Sequence, residues 1–399
     1  MSKTMPTYFP DDLDVWVMAG QSNMEGCGSL AESIEPDPRV WCFTTRHEWR
    51  IAKDPLHDLL DSRAPVDRAL RLAATPPAHR NPETRFRDYW RKRNKGKGAG
   101  LGIAFGSAFS AVSGRPVGLV ACAHGGTTLD QWDHRRHDEG LESLYGAMLV
   151  RIRQAGGNLR GLLWYQGESE AWTESAATYR RRFVAWVRAL RKDLGRPDLP
   201  VVTVQLGGVA FPELNPASWD SMRQVQLEMP RFIDHLGVLT AIDLDLNDAI
   251  HLDAPSLIRL GRRMARVALR LSGVDRRIPA GPQFAALSAG GEKEGLGEIE
   301  INFIGVAGSL LPCRGIKGFS ILRSDLKPHP TIAVCQARRH HRKKNAVIVK
   351  TTRPLAAGSV IAYGHGLMPI CNLVDEADMA VPAFRAKIRS GALQRGKGR

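Results

Sequence analysis

Val15-Trp16-Val17-Met18-Ala19-Gly20-Gln21-Ser22-Asn23-Met24 is the stretch whose reading decides the fold. A short apolar run stops at a glycine, turns, and presents a hydroxyl beside two amide side chains. Runs of this kind recur at Val117–Ala123, Leu159–Tyr165, Val201–Gln205 and Val238–Ile242. Between them, Leu141, Leu144, Met148, Leu149 and Ile152 keep helical spacing, as do Tyr179, Phe183, Trp186, Val187 and Leu190. Short strands alternating with amphipathic helices predict an α/β fold with a mostly parallel sheet covered on both faces. Ligands of such sheets sit outside the carboxyl ends of the strands. Ser22 and Gln166 both fall just past a strand end, which puts them on one rim.

Outward from this core, residues 14–275 read as one domain, preceded by a polar extension over 1–13 that carries Pro6 and Pro10. That extension lacks the apolar stretch of a secretory signal, so a cytoplasmic location is expected. An insertion spans about 46–100, with Pro65, Pro76, Pro77 and Pro82 near its middle and a Lys/Gly-rich end. It reads as one long loop that could form part of a wall over the site. Past Pro279-Ala280-Gly281-Pro282 the pattern changes. Residues 280–390 read as a β-rich accessory domain, with strand-like stretches at Glu298–Phe303, Thr331–Val334, Ala346–Lys350 and Val360–Tyr363, followed by a basic tail over 391–399.

Composition narrows the function classes. The chain has 399 residues, 43% hydrophobic and 24% charged, which is ordinary for a globular protein and not for a disordered one. No apolar run reaches the ~18–20 residues needed to span a bilayer, so no membrane partner is expected. The six cysteines form no Cys-x-x-Cys pair, which gives no zinc signature and favours reduced, structural thiols. Net charge is +15, with basic clusters at Arg85–Lys97, Arg338–Lys344 and Arg395–Arg399. Attraction to a polyanion is one reading; solvated loops and a basic tail are the other. No aromatic-interleaved RNA motif or helix-turn-helix pattern accompanies the charge, so nucleic acid is not expected as a partner.

Four segments carry chemistry. Ser22 follows the first strand, where its hydroxyl is exposed and its N–H can face a developing oxyanion; alternatively it caps the next helix. Asp248-Ala249-Ile250-His251 precedes a helix-like segment, so that Asp248 can accept from one imidazole nitrogen while the other faces Ser22. Asp243, Asp245 and Asp253 are rival acids, and a plain turn is the alternative. In Trp164-Tyr165-Gln166-Gly167-Glu168, the Gln166 amide could donate to an oxyanion, while Glu168 either holds the loop or caps a helix. In Cys122-Ala123-His124-Gly125-Gly126-Thr127-Thr128, Gly125 or Gly126 could bring a backbone N–H close to a ligand, and His124 is a competing base. Trp132, Trp164 and Trp172 could offer faces to sugar rings or belong to the core.

Gly20-Gln21-Ser22-Asn23, His124-Gly125-Gly126-Thr127, Trp164-Tyr165-Gln166-Gly167-Glu168 and Asp248-x-x-His251, in that order, resemble the sialate O-acetylesterase-like carbohydrate esterases of the SGNH-hydrolase superfamily, which include acetyl xylan esterases. The likeness covers most of residues 14–270, with support from Leu129-Asp130-Gln131-Trp132. Tyr363-Gly364-His365-Gly366 and Cys371-Asn372-Leu373 resemble the β-rich rear part of some sialate O-acetylesterases. The resemblance implies a flavodoxin-like three-layer α/β/α fold and a serine esterase acting on an acetylated carbohydrate without metal or cofactor. It implies Ser22 as nucleophile, His251 as base and Asp248 as acid. Ser22, Gly125 or Gly126, and Gln166 would be oxyanion donors, with Gln21, Asn23 and Glu168 in support. Gln166 stands where the wider superfamily usually has asparagine. The alternative is a carbohydrate-binding protein of this fold without catalysis. The acetylated sugar and the oligomeric state are not read from the sequence.

Overall fold

The computed structural model describes residues 12–80, 83–173, 176–289 and 295–389; nearly all of the 1–13 extension and the basic tail lie outside these. The chain opens with β1 (Asp14–Gly20), α1 (Ser22–Glu25), β2 (Gly28–Ser29), β3 (Val40–Phe43) and β4 (Trp49–Ile51). The former loop region holds α2 (Pro65–Ala73), α3 (Glu83–Arg93) and β5 (Lys97–Ala99). Then come α4 (Gly102–Ser113), β6 (Val117–Ala121), α5 (Leu144–Ala155), β7 (Asn158–Tyr165), α6 (Glu168–Thr173) and α7 (Ala176–Asp193). β8 (Val201–Gln205), α8 (Pro216–Glu228), β9 (Leu236–Thr240) and α9 (Ala254–Leu271) complete the α/β part.

Seven strands form one sheet in the order β4-β3-β6-β1-β7-β8-β9. Every pairing is parallel except that of β3 with β4. All seven residues of β1 are buried because it lies at the centre, between β6 and β7, with helices on both faces. This is the expected mixed α/β fold with a large, mostly parallel sheet. α9 packs so closely on α4 that a Cβ on Gly261 would lie 2.2 Å from the Leu101 carbonyl oxygen. Asp253 caps α9 by accepting from the Ser256 N–H at 2.8 Å.

Three expectations change. The edge strands β3 and β4 were not foreseen. The 46–100 insertion is not one long loop, since it folds into β4, two helices and β5. Its pin is a buried pair, Arg151 of α5 donating to Asp67 of α2 at 2.6 Å. The strand expected at Thr331–Val334 begins only at Val334 and runs to Arg339.

The C-terminal region is built of antiparallel strands. One four-stranded sheet contains Gly297–Ile304 and Ala346–Thr351, and a three-stranded sheet contains Val360–Tyr363. Along Gly297–Ile304, alternate residues are buried, which is the mark of a sheet with one face on a core. Arg223 on α8 ties this region to the α/β part, donating to the carbonyls of Leu206 at 3.1 Å and Gly364 at 3.2 Å.

Candidate active site

The site is built on the end of β1. Gly20 has φ +129°, and a Cβ there would fall 2.2 Å from the Tyr165 carbonyl oxygen. Only glycine fits this approach. The next N–H, that of Gln21, donates to the same Tyr165 carbonyl at 2.9 Å, so the turn is pinned to the end of β7. Ser22 then stands as the first residue inside α1, with Gln21 in the capping position, so the capping role considered for its hydroxyl is not what the turn uses. Its Cβ lies close to Gly125 at the end of β6.

Asn23 is buried and reaches across the rim. Its Nδ2 donates to Glu168 Oε1 at 3.0 Å and lies 3.4 Å from the Ile250 carbonyl oxygen, while its Oδ1 accepts from the Leu252 N–H at 3.0 Å. The residue after the serine thus holds both backbone neighbours of His251. The His251 loop is itself a tight hairpin, with Asn247 N–H donating to the His251 carbonyl at 2.7 Å. Within it, Asp248 accepts from the Ile250 N–H at 3.0 Å, from the His251 N–H at 2.9 Å, and from His251 Nδ1 at 2.8 Å. Burial pushes the Asp248 carboxyl up, but the bonds from the His251 ring and the two N–H groups together hold it below its usual range. Two of the three rival acids are otherwise engaged: Asp253 caps α9, and Asp243 pairs with Arg263 at 2.7 Å.

Ser22, Gly125, Gly126, Asp248 and His251 all line one cavity of about 1120 Å³. No hydrogen bond joins the Ser22 hydroxyl to the imidazole here. The Gly125 N–H donates at 2.6 Å to the Glu25 carboxylate, which pairs in turn with Arg71. Gly126 lines the cavity with φ +72°, and among the described residues neither its N–H nor that of Ser22 meets a protein acceptor.

Gln166 departs from expectation. Its side chain is wholly buried and donates to the Glu170 carboxylate and, at 3.3 Å, to the Thr127 carbonyl. Glu170 lies four residues on, in α6, so it takes the amide before the cavity can. Glu168 does line the cavity; burial pushes its carboxyl up to about 7, although the bond from Asn23 draws it back. The Gln21 amide, with its nitrogen facing its two acceptors, donates to the Thr127 carbonyl and Glu168 at 3.3 Å each. His124 is buried at the cavity wall, with its ring nitrogens 3.1 Å from the Gly125 carbonyl and 3.2 Å from the Asp67 carbonyl, so both are engaged by backbone oxygens. Trp132 and Trp164 belong to the core. Trp172 is 45% exposed on the cavity wall, edge-on to Phe211.

The Glu25–Arg71 pair was not anticipated. Glu25 lies three residues after Ser22, which was a usable signal, but its partner comes from the insertion and no local spacing announces it.

The family described as carbohydrate esterase, sialic acid-specific acetylesterase, matches residues 12–270. The chain belongs to this family. Its members are carboxylic ester hydrolases, and the chain is accordingly an enzyme of the carbohydrate acetylesterase class. A probable carbohydrate esterase of Arabidopsis thaliana is 29% identical over 272 residues, covering 64% of this chain and 90% of the relative. The crystal structure of a carbohydrate acetylesterase from Xanthomonas citri superposes with a TM-score of 0.66 at 22% identity, over 94% of this chain and 80% of the other. At that identity the likeness is one of fold, and it extends through the β-rich C-terminal region.

Proposed function

We propose that the chain removes O-acetyl groups from carbohydrates as a serine esterase, with Ser22 as nucleophile, His251 as base and Asp248 as its orienting acid. The observation that carries this reading is the clasp of Asn23 on Ile250 and Leu252, which joins the serine turn to the histidine loop on one cavity. The Nδ1–H of His251 is committed to Asp248, so the lone pair of Nε2 is left to take a proton. Ser22 Oγ attacks the acetyl carbonyl and passes its proton to Nε2. As the tetrahedral intermediate collapses, Nε2–H protonates the departing sugar oxygen and Ser22 is left acetylated. His251 then deprotonates a water, which attacks the acetyl-enzyme, and Nε2–H returns the proton to Ser22 Oγ as acetate is released.

The oxyanion is best served by the Ser22 and Gly126 N–H groups. The Gly125 N–H is already held by Glu25, and the Gln166 amide by Glu170. Each well-placed donor is worth ~3–4 kcal/mol of barrier. The test is acetate release from an aryl acetate by the full chain. Ser22→Ala is expected to lower kcat by ~10³-fold or more. Wild-type turnover in Ser22→Ala, or no Ser22-dependent acetate release by the wild type, overturns the reading in favour of a protein that binds carbohydrate without catalysis.

A further inference from the structure

The cavity is larger than its chemistry requires. Ligand pockets for small molecules span ~300–1000 Å³, and an acetylated monosaccharide would occupy only part of the 1120 Å³ here. The excess space lies against α3 and the turn into β5, where Arg87, Arg91, Arg93, Asn94 and Lys97 line the cavity beside Arg71. Two of these cations are spent inside the protein: Arg71 pairs with Glu25 and Arg87 with Asp61. Among the described residues, Arg91, Arg93 and Lys97 have no carboxylate partner, and all three are exposed.

A helix C-terminus favours cations by itself, which accounts for basic residues in the last turn of α3. It does not account for Lys97, which stands beyond the helix, nor for all three opening on the same cavity as Ser22. Trp90 anchors the lip from below: Arg71 lies 4.3 Å from its ring centroid and Arg93 5.6 Å. Such stacking holds the Arg93 guanidinium in place; its Nη1 donates to Tyr89 Oη at 3.4 Å, and its remaining N–H groups can meet a carboxylate.

We infer that Arg91, Arg93 and Lys97 form a subsite for carboxylates carried on sugar units beyond the esterified one, so that the enzyme takes O-acetylated acidic oligo- or polysaccharides of the uronate class. The inference rests on the carbohydrate esterase reading above, but it is tested by binding, independently of catalysis. A galacturonate hexasaccharide without acetyl groups is titrated calorimetrically into the full chain at low salt, beside xylohexaose as its neutral counterpart.

The acidic hexamer is expected to bind at least ~10-fold more tightly, with the preference shrinking as salt screens exposed charge. The triple variant Arg91→Gln/Arg93→Gln/Lys97→Gln is expected to lose that preference, while Arg91→Lys/Arg93→Lys keeps most of it. Melting curves check that the variants are folded. Equal affinity for the two hexamers in the wild type overturns the inference, as does an undiminished preference in the triple variant. It also falls if a single-stranded DNA oligomer binds as tightly through the same three residues, because the lip is then a general polyanion patch. Charge-selective binding without Ser22-dependent acetate release would overturn only the chemistry; acetate release without charge-selective binding would overturn only the subsite.

Discussion

The floor and the wall of the cavity are held together in different ways. On the floor, Ser22 and His251 are placed by bonds that end on the main chain: the Gln21 N–H to the Tyr165 carbonyl, the Leu252 N–H to Asn23 Oδ1, and the Ile250 and His251 N–H groups to the Asp248 carboxylate. On the wall, the 46–100 insertion is held by ion pairs between exposed side chains, such as Arg68 with Glu83 and Arg46 with Asp61. Exposed pairs of this kind contribute only ~0–1 kcal/mol each. The exceptions are the buried Asp67–Arg151 pair, which ties α2 to α5, and the largely buried Arg71–Glu25 pair, which ties α2 to α1. In the proposed mechanism, reaction geometry is therefore set where the main chain leaves little choice. In the proposed reading, recognition falls to side chains that can be exchanged without disturbing the sheet.

The largest effect expected from breaking this arrangement is at the wall's most deeply buried ion pair, Asp67 with Arg151. Asp67→Asn leaves Arg151 charged and unpaired in the interior and should cost ~3–5 kcal/mol, read as a lower melting temperature at neutral pH. The cost should also depend on pH with a definite sign. Burial pushes the Asp67 carboxyl up, yet Arg151, His124 and Ser62 together hold it below the usual carboxylate range. A depressed folded value stabilises the protein above the unfolded value and loses that stabilisation as pH falls through the folded one. The gap in melting temperature between wild type and Asp67→Asn should thus be full above about pH 5 and narrow below about pH 4. A gap that widens on acidification would show that the pair is not what anchors the insertion.

A smaller effect is expected on the floor. Asn23→Ala removes the clasp without touching either reacting side chain, and the lost buried bonds should cost ~1–3 kcal/mol of stability. Because the clasp positions His251, kcat on an aryl acetate should fall ~10–100-fold with KM changed much less. A variant that loses stability but keeps kcat would show that the histidine loop is placed by its own hairpin alone.

Much of the floor was legible in the sequence because its signals are local. The apolar run ending at Gly20 marked β1, and the three-residue offset of Asp248 from His251 marked a hydrogen-bonded turn. The helix after His251 was visible in its periodicity. The wall was opaque for a physical reason. α2 and α3 are short, and Asp67 and Arg71 look like surface charges until Arg151 and Glu25, far off in the chain, cover them. Gln166 misled for a related reason: position past a strand end specifies the rim, but Glu170 decides which way the amide turns. β3 and β4 were missed because Val40–Phe43 is only four residues long and lies next to the insertion.

The most direct measurement is covalent labelling of the full chain by a fluorophosphonate, with the modified peptide mapped by mass spectrometry in wild type and in His251→Ala. Stoichiometric modification at Ser22, abolished or slowed by ~10³-fold in His251→Ala, is the predicted result. An unmodified Ser22, or labelling that proceeds equally well without His251, would contradict the account.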